Sequence, residues 1–157
     1  MSGAELRRRL RLARKHVSSP ADAFLLARMA GWAVALPALK YALPLQRLVR
    51  LAASGSRGDR APERELKVTD LARVLYRSPA PLVRDNCLER SLVAYRYLSR
   101  ANAEPELVIA MGKDGGDFLG HVWVTVDGEP LYDSPEKLAE FVPMVVFDSS
   151  GSVARTN

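Results

Sequence analysis

Cysteine is nearly absent: Cys87 is the only one among 157 residues. A disulfide within the chain is thereby excluded, and the composition suits a reducing cytosol. Histidine is almost as scarce, with His16 and His121 alone. Two imidazoles and one thiol fall short of the three or four nitrogen or sulfur ligands of a protein-only zinc site. No GxxxxGK[ST] stretch occurs, so the phosphate-cradling loop of that motif is missing, and no internal repeat is visible. The uncharged run from Met29 to Leu39 has eleven residues, against the roughly twenty needed to span a bilayer. It contains Gly31 and Pro37 and is followed by Lys40. The expectation is a buried or amphipathic helix ending near Leu36, not a signal peptide or a membrane span.

Charge is present but unevenly spread. Residues 1–50 carry ten Lys or Arg against Glu5 and Asp22, a net of +8, while residues 51–157 carry a net of −3. The basic run Arg7-Arg8-Arg9-Leu10-Arg11-Leu12-Ala13-Arg14-Lys15-His16 suits nucleic acid, anionic lipid or an acidic peptide, or simply a solvated helical arm. Nucleic-acid binding is not expected, because no basic patch with interleaved aromatics and no recognised module accompanies the run.

One domain is the expectation at this length. Its parts read as a basic, apolar helical region over residues 1–52, a flexible linker over 53–63, a catalytic core over 64–148 and a frayed tail over 149–157. Helices are expected near Ser19–Leu36, Leu39–Leu51 and Glu65–Tyr76 from apolar spacing. The N-terminal helices by default join the core; a partner or the inner membrane surface is the alternative cover for them.

What remains is a constellation around the lone thiol. Leu88, Leu92, Tyr95 and Leu98 recur at helical spacing, and Asp85 or Asn86 is a natural N-cap, which puts Cys87 in the first turn of a helix. The dipole there favours an anion, and the thiolate is the reactive form of the side chain. Downstream, Leu107–Met111 reads as a strand, Gly112 to Gly120 as a Gly-rich loop, and His121–Val126 as a second strand. Period-2 alternation puts His121, Trp123 and Thr125 on one face. Asp127-Gly128 signals a hairpin returning through Glu129–Asp133. A two-residue Asp127-Gly128 loop sets Asp133 on the face opposite to His121. A three-residue Val126-Asp127-Gly128 loop sets it directly across from His121. The second register is expected, because it makes chemical sense of the pair.

On that register Cys87 is a nucleophile, His121 the base that takes its proton and returns it to the leaving amine, and Asp133 the group that holds the imidazole tautomer. Trp123 would wall the site, and Asn86 lies beside the nucleophile within reach of the substrate. Each residue also has a plainer reading: a small core thiol, a hydrogen-bonded core histidine, and an Asp133-Ser134-Pro135 turn before a short helix. A short helix after Ser134 and a strand over Met144–Phe147 complete an α+β expectation. In it the Cys87 helix packs on a small, mainly antiparallel sheet.

The blocks Cys87-Leu-Glu-Arg-Ser-Leu, Leu107-Val-Ile-Ala, Gly120-His121-Val-Trp-Val-Thr-Val-Asp-Gly and Tyr132-Asp133-Ser134-Pro135 resemble the lasso-peptide leader peptidases. These are small cysteine proteases of the transglutaminase-like superfamily, also called the microcin-processing protein C-terminal domain family. The resemblance covers about residues 66–148 and implies a transglutaminase-like (papain-like) core with a triad at Cys87, His121 and Asp133. It implies removal of the leader from a ribosomally made precursor peptide. It also implies two partners, a separate leader-recognition protein and a lasso cyclase. The residues themselves point to no cofactor; only the resemblance raises ATP dependence. The expected location is the cytoplasm, with the basic helices able to meet the inner membrane surface. Acyl transfer to an amine, or a non-catalytic partner-binding scaffold, are the alternatives.

Overall fold

The helix that begins at Cys87 is buried on almost every side. Leu92, Val93, Ala94, Tyr95, Tyr97 and Leu98 are all within a few per cent of full burial. Each large apolar side chain so placed stabilises the fold by about 1.5–3 kcal/mol. Such a helix needs protein on both flanks, and the computed structural model supplies it. The structure describes residues 17–53, 58–77, 86–114 and 117–154. The basic run 7–16, residues 54–57 of the expected linker, Asp85 and Gly115–Gly116 lie outside the described residues, and the end of that linker is already helix from Pro62.

In chain order the elements are α1 (Pro20–Ala42), α2 (Leu45–Ala52), α3 (Pro62–Arg77), α4 (Cys87–Ser99), β1 (Glu106–Asp114), β2 (Asp117–Val126), β3 (Glu129–Pro130), α5 (Pro135–Leu138) and β4 (Phe141–Phe147). The strands form one antiparallel sheet in the order β3-β2-β1-β4, giving the expected α+β architecture. One face of the sheet (Leu107, Ile109, Val122, Val124, Val145, Phe147) packs in a common core with α4 and with Met29, Leu36, Leu48 and Leu71 of the other helices. The opposite face carries a smaller cluster of Val108, Ala110 and Trp123, met by Leu138, Phe141 and Val146.

Four expectations about the elements need correcting. First, α1 does not stop near Leu36 but runs through Pro37 to Ala42. Proline costs the helix a donor and about 3 kcal/mol. Met29, Ala33 and Leu36, all buried on the core side, offset that cost. By length and composition alone α1 passes for a membrane span, with a mean hydropathy of 1.3 over its best window, of which 22% is buried. Second, the following helix begins at Leu45 rather than Leu39, because Pro44 holds its N-cap in extended backbone. Third, Gly112 to Gly120 is not a loop: β1 and β2 run through it, pairing Gly112 with Leu119 and Asp114 with Asp117. Fourth, residues 149–154 of the expected frayed tail are held in place. Ser150 and Ser152 donate backbone N–H groups to the Asp148 carboxylate, and Phe147 bridges to Val153. The buried Tyr95 hydroxyl donates to the Asp148 carbonyl and ties this turn to α4.

The N-terminal helices are bound to α4 by charge as well as by hydrocarbon. Glu89 is buried, and Lys40 of α1 meets its carboxylate at 2.6 Å. A buried carboxylate without such a partner would be strongly destabilising.

Candidate active site

The site is assembled from three elements: the start of α4, the middle of β2 and the chain leaving β3. Asn86 caps α4 in extended backbone, and its side-chain oxygen accepts from the Leu88 N–H at 2.9 Å. Cys87 therefore occupies the first helical turn, half-buried. Asn86 also receives the Arg90 N–H through its carbonyl. The first-turn N–H groups of Cys87 and Glu89 are left outside these bonds.

One turn further along α4, on the same face as Cys87, Ser91 donates its hydroxyl to the Val122 carbonyl at 3.0 Å. This buried bond fastens α4 to β2 at the residue next to His121. β3 ends at Pro130, opposite Thr125, and beyond the Leu131–Val124 bond this edge of β2 is met by Ser91 of α4 at the Val122 carbonyl. The thiol helix is thus fastened to the strand that carries His121.

The hairpin register is the shorter one, contrary to expectation. Thr125 pairs with Pro130 and Val126 with Glu129, closed by a two-residue Asp127-Gly128 turn with φ of +55° and +82°. Two left-handed residues make the tight turn whose twist suits a hairpin. Continued as a strand, this register would have sent Asp133 to the face away from His121. It is not continued. β3 lasts two residues, Leu131 makes one more bond to the Val124 carbonyl, and the chain then bends through Leu131–Asp133. The bend returns the carboxylate, and Asp133 Oδ2 lies 3.2 Å from His121 Nε2. The register differs from the expected one, yet the His121–Asp133 contact is present.

Both members of the pair are largely withdrawn from water, with side chains 12% and 8% exposed. The contact suits the tautomer in which Nε2 donates to the carboxylate, which leaves Nδ1 as the ring nitrogen able to accept. The imidazole is sandwiched: Trp123 stacks on it at 5.9 Å between ring centroids, and Phe141 meets it at 5.0 Å. Such ring contacts contribute about 0.5–1.5 kcal/mol each and fix the plane of the ring. Phe141 can approach only because residue 112 is glycine; a Cβ there would sit 2.8 Å from the Phe141 ring. Lys137 Nζ reaches the other Asp133 oxygen at 3.4 Å.

Between the two halves lies Tyr132. Its ring is flanked by the guanidinium groups of Arg73 and Arg90, each 5.8 Å from the centroid. Arg90 is on α4 three residues after Cys87, and Tyr132 adjoins Asp133, so this stack couples the thiol helix to the carboxylate turn. Burial pushes the Tyr132 phenol above its ordinary range. Its hydroxyl has no hydrogen-bond partner among the described residues.

The expected site residues are therefore brought together in part. His121 and Asp133 touch, with Trp123 against the imidazole and 8% exposed. Asn86 is exposed beside Cys87, its oxygen engaged in the cap. No hydrogen bond joins Cys87 to His121 or Asp133 among the described residues; β2 alternation turns the imidazole toward Trp123, while Cys87 packs with the helix-side core. Sequence reasoning missed Ser91, Phe141, Lys137 and the two arginines. Ser91 and Lys137 left a signal, each lying four residues after a proposed site residue on a helical segment; Phe141 left none. Among the described residues no group of three His, Cys, Asp or Glu side chains could hold a metal ion.

Comparison with known proteins adds one finding. A family model described as the transglutaminase-like superfamily matches residues 30–146. Searches of curated proteins and of solved structures found no match.

Proposed function

The chain belongs to the transglutaminase-like superfamily, and from that premise we infer that it is a cysteine peptidase acting on a ribosomally made peptide. Cys87 is the nucleophile, His121 the general base and acid, and Asp133 the group that orients the imidazole. The observation that carries this reading is the His121–Asp133 contact, at 3.2 Å, on the strand to which the Cys87 helix is fastened through Ser91 and the Val122 carbonyl.

In the proposed reaction Nδ1 of His121 accepts the thiol proton, and Sγ of Cys87 attacks the scissile carbonyl carbon. The N–H groups of Cys87 and Glu89 are placed to receive the oxyanion, a contribution often worth about 3 kcal/mol. The imidazolium then protonates the leaving amine as the C–N bond breaks, leaving a thioester. Water attacks the thioester as Nδ1 takes one of its protons; the C–S bond then breaks, the carboxyl product leaves, and the imidazolium returns the proton to the Cys87 thiolate. Catalysis requires the thiol to close on the imidazole across the β2 edge, and substrate seated on that edge would complete the contact. Trp123 holds the imidazole plane and walls the site; the Asn86 amide N–H groups face the approaching peptide.

The finer identity, supported by the sequence blocks around Cys87, His121 and Asp133, is a lasso-peptide leader peptidase. Its partners on this reading are the precursor, a separate leader-recognition protein and a lasso cyclase. Its place is the cytoplasm, with the basic N-terminal helices at the inner membrane surface. ATP dependence stays an open arm of the assay. The test is incubation with a candidate precursor and its leader-binding partner, with and without ATP, read by mass. Leader and core fragments whose masses sum to that of the precursor plus one water are the expected products, and Cys87→Ala should yield none. A product heavier by an added amine would instead make the enzyme an acyl transferase. Cleavage that persists in Cys87→Ala would end the assignment.

A further inference from the structure

Away from the site described above, a cavity of about 520 Å³ opens between the first turns of α1 and α3 and the last turn of α4. That size lies in the range of ligand pockets. Its floor is apolar, with Leu25, Val68 and Tyr97. Its walls bear Arg28, Arg64, Lys67 and Arg100 against only Asp22 and Glu63.

One of the two acids is already committed. Asp22 accepts from Ser18, Ser19 and Lys67, and the Lys67 hydrogen bond first of all holds its carboxyl down to about 2. Glu63 is the other acid in the lining, beside Arg28, Arg64 and Arg100. None of these three has a carboxylate partner among the described residues. Arg28 and Arg100 instead lie over the Phe24 and Tyr97 rings. Elsewhere in the molecule Arg60, Lys40 and Lys137 all have carboxylates in contact. Arg96, which does not line the pocket, has its charged form disfavoured first by burial and then by Arg100. Two helix N-termini and the C-terminus of α4 border the region, so their dipoles oppose one another and the positive potential comes from the side chains. The features converge on a concave, cationic site with an apolar base.

We propose that this pocket is an exosite for an acidic, partly apolar stretch of peptide, its carboxylates on Arg28, Arg64 and Arg100 and its apolar side chains on Leu25 and Val68. The proposal deepens the peptide-processing reading and rests on it for the identity of the occupant. A concave pocket with an apolar floor suits a side-chain-bearing chain better than a flat bilayer. The pocket would hold the substrate remote from the scissile bond, so it acts on capture and not on the chemical step.

The test is fluorescence anisotropy with a labelled peptide of alternating Glu and Leu, set against its Gln counterpart, on Cys87→Ala protein. Saturable binding of the acidic probe is expected, weakening with added salt and by tenfold or more in Arg28→Glu/Arg100→Glu. Arg64→Glu, at an exposed position, should weaken it in the same direction. Arg28→Lys/Arg100→Lys should retain most of it, and circular dichroism checks that each variant is folded. Equal binding of the acidic and Gln probes overturns the proposal. So does unchanged affinity in the folded charge-reversal variants, or arginine-dependent capture of phosphatidylserine vesicles without peptide binding. Cleavage of a short substrate lacking acidic residues should be equal in wild type and Arg28→Glu/Arg100→Glu. Failure of the exosite therefore leaves the catalytic reading measurable by itself.

Discussion

The two hairpins that share β2 are built for opposite ends. Between β1 and β2 the ladder runs unbroken from Glu106–Thr125 to Asp114–Asp117. Between β2 and β3 it lasts for two pairs and stops. The long hairpin is scaffold: it fixes His121 opposite Ala110 and gives Trp123 its place against Val108. The short one is useful because it ends. Had β3 paired on to residue 133, alternation would have carried the carboxylate to the wrong face; by leaving the sheet, Leu131–Asp133 brings it to the imidazole. The same early ending leaves the Val122 carbonyl of β2 to Ser91 of α4. A functional contact can therefore depend on where a regular element is abandoned as much as on where it is kept.

The comparison can be broken at several points, most severely at the carboxylate. Asp133→Asn keeps the shape but allows the side-chain amide to donate to Nε2, favouring the wrong tautomer. A loss of roughly a thousandfold in kcat is expected with little change in melting temperature. A loss of only a few fold would make Asp133 a turn residue. In the long hairpin, Gly112→Ala tests the scaffold. The added carbon would meet the Phe141 ring at 2.8 Å and the Glu140 carbonyl oxygen at 3.0 Å, and a backbone oxygen cannot swing aside. A destabilisation of about 1–3 kcal/mol is expected in denaturant titration, with activity falling further because Phe141 supports the imidazole.

The turn of the short hairpin should be more forgiving. Gly128 has φ of +82° but nothing within 4 Å of where a Cβ would go. Gly128→Ala should cost only the left-handed backbone term, about 1 kcal/mol, and leave kcat within a few fold. The smallest effect belongs to Asp127 in the same turn. Its carboxyl is held below the ordinary range, first by the Arg60 side-chain hydrogen bond, with Nη2 at 2.6 Å. A depressed folded value contributes stability that is present above the ordinary value of 3.8 and fades as pH falls through the lower folded one. The acid limb of the melting curve should therefore flatten slightly in Asp127→Asn. An identical limb would mean that the Arg60 contact is not maintained in solution.

These contrasts also mark how far the sequence could be read. The Cys87 helix was legible because Leu92, Tyr95 and Leu98 keep helical spacing behind a capping asparagine. The strand from His121 was legible because β-branched and aromatic residues alternate without interruption. The Gly112 to Gly120 stretch misled because glycine signals a loop by local propensity. Here Gly112 serves a tertiary need, the approach of Phe141. Pro37 misled in the same way, its local penalty being offset by burial of Met29 and Leu36 on the face that packs into the core. The register lay beyond local reading, since Asp-Gly fits two loop lengths and nothing in Leu131-Tyr132 announces that the strand ends. The Arg73–Tyr132–Arg90 stack joins residues far apart in the chain through the fold alone.

The central claim is that Cys87, His121 and Asp133 act as one unit. It is tested most directly by the rate of Cys87 alkylation with iodoacetamide as a function of pH, in wild type and His121→Ala. The account predicts fast alkylation of the wild type near neutral pH, with an inflection that His121→Ala removes while slowing the reaction at pH 7. Superimposable profiles, or a thiol inert in both proteins, would contradict it and leave Cys87 a core residue that happens to begin a helix.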